Sequence, residues 1–457
     1  MNADSLHDEA LASVIRTIII LSQFIVGSIA QGQTGDVSRE IDGEEDEVSF
    51  SVGAIYSNNI DRSPEDGLDE LVGSVGTTVN LASDERRSSY RINIDGDYRK
   101  YTKDTYENEF LGGLSGEYLF WLAEDRFQWV LSDDFGQAQY DIGQVSTPEN
   151  RYDFNVFSTG PRFLLPIGGR NFFALNAQYR DVYLEGRNDD YWEYVGGVGF
   201  LRSLSRTRDI GVFANASRIE YKDDAFEPAD INSVFLLLNS IGARSELSVR
   251  LGSNYFENSE GRESGALADF EFSRELSRRI AIELSGFYGF VGTADAVLDI
   301  RDQDGSSIDQ EVRIVDFSQP SRQQSVGLAV DWQGESTNLR FSSAFVREQG
   351  LFSESDIDRA RIVYRAEYSR RFGEWSTLYA SASYDDDEID DDLDPFVRLT
   401  YGIGLQFGLN DRFLIQCSIN KYEGDGGLTR PDFLYDEIEA GLSLIYRPLR
   451  ENVSVAN

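Results

Sequence analysis

A strict two-residue alternation of apolar and polar side chains recurs along this chain and limits the folds open to it. In the clearest case, FVRLTYGIGLQF, the alternation sets Val397, Leu399, Tyr401, Ile403, Leu405 and Phe407 against Arg398, Thr400, Gly402, Gly404 and Gln406. Successive side chains of a β-strand point to opposite faces, so the pattern predicts a strand with one apolar and one polar face. The same alternation occurs in EVSFSVGAIYS, SYRINIDGDYRK, ELSVRLGSNY and DRARIVYRAEY.

The connections between these segments are of two kinds, short and long, which alternate along the chain. Nine are short and turn-like, such as 203–208, and ten are longer and acidic, such as 133–150 and 254–264. Nineteen connections join twenty strands, and the loss of one hairpin would leave eighteen. An even count, strands of about ten residues and alternating connection lengths are typical of outer-membrane barrels. The sequence therefore predicts an all-β fold, a single transmembrane antiparallel β-barrel of about 20 strands over residues 47–446, with both termini periplasmic.

Water-soluble β folds are the alternative, and the sequence disfavours them. A sandwich with this many strands would need several domains, but no boundary linker is present in the sequence. A propeller needs an internal repeat of about 40–50 residues, and no such motif recurs. Closure into a barrel also removes the exposed strand edges that would otherwise promote aggregation.

The first thirty residues predict a secretory signal peptide. Arg16 precedes a largely apolar run that ends in Ser28-Ile29-Ala30, with small residues at the positions that signal peptidase reads. A membrane anchor is the alternative, but crossing a bilayer takes about 20 apolar residues and this run is shorter. Residues 1–30 are thus predicted to be the signal peptide and residues 31–46 a flexible acidic segment before the barrel.

The end of the predicted barrel carries a second localisation signal. Residues 439–446, EAGLSLIY, resemble the last-strand signal of the bacterial barrel-assembly machinery, with Gly441, Leu444 and Tyr446 at its glycine, apolar and aromatic positions. Residues 447–457 are a short tail beyond it, whereas many barrels stop at the aromatic residue. The signal predicts the bacterial outer membrane as the location. Its lipids, lipopolysaccharide and the barrel-assembly machinery are then the expected partners.

Composition argues against several other functions. The formal net charge is −38, whereas phosphate binding needs Lys and Arg clusters, so nucleic acid is not an expected partner.

The single histidine, His7, lies in the leader, which leaves no base for serine-histidine hydrolysis in the mature chain. Paired carboxylates could hydrolyse glycosides, but no cleft motif distinguishes any of them. With Cys417 as the lone cysteine, no intrachain disulfide can form. We expect no enzyme activity, no cofactor and no metal site.

The acid run YDDDEIDDDLDPF, residues 384–396, is predicted to be a solvated extracellular connection. Dense negative charge keeps a loop in water and repels anions from a pore mouth. A calcium loop is the alternative, and its best candidate is IRDQDGSSIDQE, residues 300–311. Position one of that segment is Ile300 rather than a carboxylate, and its flanks read as strands, so an EF-hand is disfavoured.

Charged residues within the alternating segments are predicted to line the lumen. A charge on the lipid face near the mid-plane would cost about 2–4 kcal/mol for Arg or Lys, so these side chains should point inward. The predicted lining residues are Arg91, Asp95, Asp97, Arg99, Glu117, Arg250, Asp331, Arg340, Arg361, Arg365, Glu367 and Arg398. They could form a solvated wall of cross-strand ion pairs or a lining that selects hydrophilic solutes. The longest connection, 293–320, is the candidate for a constricting loop.

Residues 54–72, AIYSNNIDRSPEDGLDELV, resemble the opening of a β-barrel porin family associated with exopolysaccharide export. In that family the first strand ends in an aromatic residue, followed by an Asn/Asp-rich turn, an arginine and a later acidic residue. The matching positions are Tyr56, Asn58, Asn59, Arg62 and Asp69. The resemblance implies an outer-membrane protein linked to polysaccharide secretion, with exopolysaccharide export components as partners. It implies no catalytic residue.

The function predicted first is a porin-like barrel that passes hydrophilic solutes or exopolysaccharide across the outer membrane. The alternative is a structural or adhesive barrel with acidic extracellular loops and a plugged lumen. Energised uptake of iron chelates is disfavoured, because only about sixteen residues separate the predicted cleavage site from the first strand, too few for a plug domain.

Overall fold

The computed structural model describes residues 47–65, 67–123, 126–139, 147–186, 190–223, 227–292, 320–351, 358–388, 395–427 and 434–448. Within these ranges the chain consists of β-strands and turns, with one 3-10 turn at Pro148–Asn150. No helix in the part of the chain that the structure describes has the length and apolarity to cross a membrane.

Twenty strands follow one another along the described chain. They are β1 Glu47–Ser57, β2 Glu70–Glu85, β3 Ser88–Tyr101, β4 Glu109–Ala123, β5 Phe127–Gln139, β6 Arg151–Pro166, β7 Asn171–Leu184, β8 Tyr191–Ser205, β9 Arg208–Tyr221, β10 Ala229–Ile241, β11 Ser245–Glu257, β12 Arg262–Ser277, β13 Ile280–Val291, β14 Ser321–Gln333, β15 Thr337–Gly350, β16 Asp358–Phe372, β17 Ser376–Glu388, β18 Phe396–Gly408, β19 Phe413–Asp425 and β20 Tyr435–Tyr446.

Antiparallel pairing of each strand with the next closes the sheet into a barrel. The seam is formed by β1 and β20, where Phe50 lies opposite Tyr446 and Ser57 opposite Glu439. None of the twenty described strands is therefore left with an unpaired edge. β1 begins and β20 ends at the end of the barrel that carries the short turns. The predicted single antiparallel barrel of twenty strands is confirmed, and the first and last residues of the barrel sequence lie at the short-turn end.

The connections alternate in length as predicted, but several long ones are shorter than the sequence suggested, as three examples show. β5 continues to Gln139, within the predicted connection 133–150. β11 and β12 extend until only 258–261 joins them, instead of 254–264. β17 continues through Asp385, Asp386 and Asp387 to Glu388. In each case polar residues stay in the ladder because a neighbouring strand supplies backbone partners for them.

The two faces of the barrel differ in chemistry. On β18, Tyr401, Ile403, Leu405 and Phe407 are all more than two-fifths exposed, while the alternate positions are occupied by polar residues and glycine. The same side of β10 exposes Val234 and Leu236. Because direct cross-strand partners share a face, this outer apolar band continues around the barrel, and the alternate side chains face inward.

One strand carries a local break in its ladder. Gly160 and Pro161 of β6 have no ladder partner on β7, although the register is the same on either side of them. Proline has no N–H to donate, which restricts it in sheets to edges and irregular positions. A Cβ at Gly160 would lie 1.9 Å from the carbonyl oxygen of Ala177, so the two backbones approach closely at the break.

Candidate functional site in the barrel lumen

The register places all twelve predicted lining residues on the inner face. They occupy the strand positions that alternate with the outer apolar band, namely Arg91, Asp95, Asp97 and Arg99 on β3, Glu117 on β4, Arg250 on β11, Asp331 on β14, Arg340 on β15, Arg361, Arg365 and Glu367 on β16, and Arg398 on β18. Their role in lining a transport path stays a prediction.

The first half of the acid run forms an ion-pair cluster with arginines of the inner face. Asp385 is 1% exposed and accepts hydrogen bonds from Nε of Arg361 at 2.9 Å and Nη2 of Arg398 at 3.4 Å. Asp387 is likewise buried and accepts from Nε of Arg359 at 2.8 Å. The prediction of a solvated connection is therefore wrong for these two carboxylates. Residues 389–394 of the run lie outside the described residues.

Other predicted lining residues are paired with opposite charges. Arg250 and Asp269, both buried, form a salt bridge across β11 and β12. Arg340 lies 3.2 Å from Asp331 and 3.5 Å from Glu283. Charge pairing thus involves several of the predicted lining residues.

The remaining predicted residues lie among small or oppositely charged neighbours. Nε of Arg99 lies 2.9 Å from Oδ2 of Asp97 on the same strand. By register, Arg91 faces Glu117 and Arg340 faces Glu367, while Asp95 is opposite Gly113 and Arg365 is opposite Ser383.

The most deeply buried arginine of the described chain was not predicted from the sequence. Arg180 on β7 is fully buried and donates from Nη1 to Oε2 of Glu193 on β8 at 2.8 Å. Ser217 on β9 also hydrogen-bonds Glu193. The alternation in QYRDVYL could have assigned Arg180 to the inner face. The pattern is hard to recognise because Arg180 is followed directly by Asp181, so that two charged residues are adjacent.

Two apolar clusters also lie on the inner face. The upper apolar cluster is near the long-connection end and contains Ala138, Tyr152, Phe154, Val156, Val182, Leu184, Tyr191, Ile219, Ala229, Phe256, Phe290 and Leu351. The lower apolar cluster is nearer the short turns and contains Leu164, Ala174, Leu201, Phe213, Phe235 and Leu237. The rings of Phe213 and Phe235 stack at 5.6 Å, over glycines such as Gly199, where a Cβ would lie 2.1 Å from Phe213. The arc of the wall from β5 to β11 is therefore partly apolar, which the sequence analysis did not predict.

The residues that carry the family resemblance meet near the seam of the barrel. Tyr56 faces outward and is exposed. Asn58 accepts a hydrogen bond from the backbone N–H of Ile438 at 2.7 Å, and Asn59 donates to the carbonyl of Asp436 at 3.1 Å. Asp69 forms an exposed salt bridge with Lys103 at 2.5 Å. The motif therefore ties the first long connection to β20, a structural role that its spacing alone did not reveal.

The assembly-signal residues lie on the closing strand. By register, Leu444 is opposite Val52 and Tyr446 opposite Phe50 on the outer face, while Gly441 lies opposite Ile55 on the inner face. Their recognition by the assembly machinery stays a prediction. Several other predictions fall outside the described residues, namely the signal peptide 1–30, the segment 31–46, residues 293–319 with the calcium-loop candidate 300–311, and the tail from 449 onward.

A closed barrel with an apolar outer band, a charged and polar inner face and connections of alternating length has the architecture that crosses a bacterial outer membrane. This chain is a bacterial outer-membrane β-barrel. Its periplasmic end carries the short turns, and its extracellular end carries the long connections.

Comparison with known proteins adds only a likeness of shape. No protein-family model matches the chain, and no curated protein matches it, so the resemblance of residues 54–72 depends on those residues alone. Among solved structures, the FrpB iron transporter from Neisseria meningitidis (F3-3 variant) is 10% identical, with 88% of this chain and 82% of that chain covered and a TM-score of 0.44. An R480A mutant of the ferric enterobactin receptor PfeA from Pseudomonas aeruginosa is 9% identical, with 88% of this chain and 82% of that chain covered and a TM-score of 0.46. The siderophore receptor PiuA from Acinetobacter baumannii is 10% identical, with 89% of this chain and 82% of that chain covered and a TM-score of 0.43.

Proposed function

We propose that the barrel is a passive channel that passes hydrophilic solutes, including secreted polysaccharide, across the outer membrane. The observation that carries the proposal is the polar arc of the inner wall on β17 to β19. Its inward positions include Ser381, Ser383, Thr400, Gln406, Ser418 and Asn420. Small hydroxyl and amide side chains can exchange hydrogen bonds with a passing solute, and they add little bulk to the wall.

The charged part of the wall supports the same function. The inner ion pairs, such as Arg361 with Asp385, keep both signs of charge on one surface. A mixed-charge wall stays hydrated without favouring one sign of small ion strongly. Twenty strands enclose a circumference wide enough for a water-filled lumen. The proposed channel needs no catalytic group, cofactor or metal at its wall.

Planar-bilayer conductance and liposome swelling with purified protein test the proposal. We expect stepwise conductance increments that scale with the conductivity of the bath, and swelling rates that fall as the size of an uncharged sugar increases. A folded barrel that gives neither signal would overturn the proposal.

A structural or adhesive barrel with a plugged lumen is the second candidate. The observation that favours it is the complete burial of Tyr191, Leu201 and Ile219, which face inward on β8 and β9. Deletion of 293–320 separates the two functions, because conductance should rise if that connection constricts a channel. The adhesive barrel would be favoured if neither the full-length protein nor the deletion variant conducts and the deletion variant loses surface binding.

The resemblance of residues 54–72 extends the proposal to its partners. We propose that export components for exopolysaccharide deliver cargo to the periplasmic end, and that the barrel-assembly machinery inserts the chain among outer-membrane lipids and lipopolysaccharide. Co-purification of the barrel with export components after cross-linking in cells tests the first part. Absence of such cross-links during active secretion would contradict it.

A further inference from the structure

A row of seven hydrogen-bonding or small residues crosses the inner wall from β5 to β11, each directly opposite the next. Its members are Gln128, Arg162, Asn176, Gly197, Asn215, Ser233 and Asn254. We call it the polar row. Gly197 makes room for the amides on either side of it, because a Cβ there would lie 2.1 Å from Oδ1 of Asn176 and 2.6 Å from Oδ1 of Asn215.

The polar row climbs the wall as it crosses the strands. Gln128 is the second residue of β5 at the periplasmic end, whereas Asn254 lies three residues before the extracellular end of β11. This slope follows from the tilt of barrel strands, because a line perpendicular to tilted strands winds around the axis. Six strand spacings give the row a length of about 29 Å. A path of this length along the wall suits an extended chain better than a small round solute.

Buried apolar side chains border the polar row on both sides. Leu164, Phe213 and Phe235 of the lower apolar cluster each stand two residues from a row member on the same strand. Val156 and Phe256 of the upper apolar cluster lie on the extracellular side of the row. Binding sites for organic ligands combine apolar surface with a few placed polar groups in this way.

Several polar groups of the row lack partners. Arg162 is 6% exposed, and its guanidinium forms no hydrogen bond or ion pair with any residue in the described ranges. Glu117 supplies the electrostatic attraction that acts on it but lies exposed on β4 without bonding it. Buried amide oxygens of Gln128, Asn176 and Asn254 likewise have no donor among the described residues.

The polar groups of the row that have no hydrogen-bond partner define the chemistry of a ligand. A buried guanidinium with no directly bonded counter-ion can take up an anion, and its planar fork matches a carboxylate. Buried amide oxygens call for donors, which hydroxyl groups supply. A ligand with carboxylates and many hydroxyls along an extended chain meets both demands.

From these observations we propose that the polar row is a binding track for an acidic saccharide. A uronate carboxylate sits on Arg162, and sugar hydroxyls donate to the amide oxygens of Gln128, Asn176 and Asn254. The track deepens the proposed channel function by naming its substrate class, and it rests on that function because the saccharide must enter the lumen.

Isothermal titration of detergent-solubilised protein tests the track without relying on conductance. The probes are tetragalacturonate and the neutral maltotetraose, which has the same number of sugar units. We expect the acidic probe to bind more tightly, and Arg162→Gln to weaken its binding by about ten-fold or more, as loss of a charged hydrogen bond predicts. Maltotetraose binding should change little in that variant. Asn176→Ala should weaken both probes.

A matched control separates a specific site from general attraction. Arg371 is exposed on the inner side of β16 near the same, periplasmic end, so Arg371→Gln removes the same charge and should change affinity by less than about two-fold. Arg162→Lys, which keeps the charge but loses the fork, should fall between wild type and Arg162→Gln. If Arg162→Gln does not fold, Arg162→Lys is compared with Arg371→Gln in its place.

Two outcomes would overturn the track. The first is the absence of tetragalacturonate binding to folded wild-type protein. The second is an equal loss in Arg162→Gln and Arg371→Gln. A barrel that binds tetragalacturonate but conducts no ions supports the track and contradicts the channel, whereas a conducting barrel that binds neither probe contradicts the track alone.

Discussion

Nε of Arg62 lies 2.9 Å from Oε2 of Glu437, although the two residues stand near opposite ends of the barrel sequence. The rings of Tyr422 and Tyr435 lie 5.2 and 5.4 Å from the guanidinium carbon, and Ser57 donates its hydroxyl to Oε1 of Glu437 at 2.6 Å. The contact spans the seam, where the ladder between β1 and β20 runs only from Phe50 to Ser57. The first long connection therefore fastens the last strand to the first.

Removal of Arg62 should weaken the seam. Arg62→Gln leaves the buried carboxylate of Glu437 without its cation, which costs about 3 kcal/mol or more in comparable buried pairs. Urea unfolding of the barrel refolded in detergent measures the loss. Lys103→Gln is the control, because it breaks the exposed pair with Asp69 and should lower the free energy of unfolding far less than Arg62→Gln does. Equal losses in the two variants would show that the Arg62 contact is not a fastening.

Adjacent carboxylates of the acid run should respond differently to neutralisation. Asp385→Asn removes the buried charge that pairs Arg361 and Arg398 and should lower the free energy of unfolding by about 3 kcal/mol. Asp386→Asn makes the same chemical change one residue along, where the carboxylate accepts one hydrogen bond from Tyr384, and should cost less than about 1 kcal/mol. The urea concentrations at the unfolding midpoints of the two variants measure this difference. Similar midpoints would restore the reading of the run as a solvated connection.

The close approach of β6 and β7 should make Gly160 intolerant of a side chain. Gly160→Ala forces a Cβ against the carbonyl of Ala177, and overpacking against backbone costs about 1–3 kcal/mol. Gly196→Ala is the matched control, because nothing lies within 4 Å of a Cβ there. That variant should be neutral or slightly stabilised, since alanine restricts the unfolded chain. A loss in Gly196→Ala as large as in Gly160→Ala would contradict the packing argument.

The exposed pair at the extracellular end predicts a pH dependence. The hydrogen bond from Lys103, followed by its positive charge, lowers the pKa of the Asp69 carboxyl below its ordinary 3.8. A lowered folded pKa means that the pair contributes above the unfolded value and is lost as the pH falls through the folded value. Lys103→Gln should therefore raise the Asp69 pKa. Carbon-13 NMR titration of the side-chain carboxyl measures it, and an unchanged pKa in the variant would exclude Lys103 as the cause.

The strands could be predicted from the sequence because alternation is a local property. The period of two in FVRLTYGIGLQF and the turn residues between segments depend on neighbours in the chain. The extension of β17 through Asp385 and Asp387 could not be predicted in this way. Acidic residues are poor strand formers, and they remain in the ladder here because Arg359 and Arg361 of β16 meet them across it.

The lumen was predictable only in part, for a related reason. Charged residues such as Arg250 and Arg398 stand out against apolar neighbours, so alternation assigns them to the inner face. The amides of the polar row carry no such contrast in the sequence. Gln128 and Asn254 become part of one feature only through the register of seven strands, which depends on pairing between distant parts of the chain.

Planar-bilayer conductance of the purified, refolded barrel tests the central claim most directly. A polar inner wall inside a closed barrel predicts discrete current steps that are ohmic and proportional to bath conductivity. Protein that migrates as a folded barrel in a gel but adds no current to the bilayer would contradict the claim.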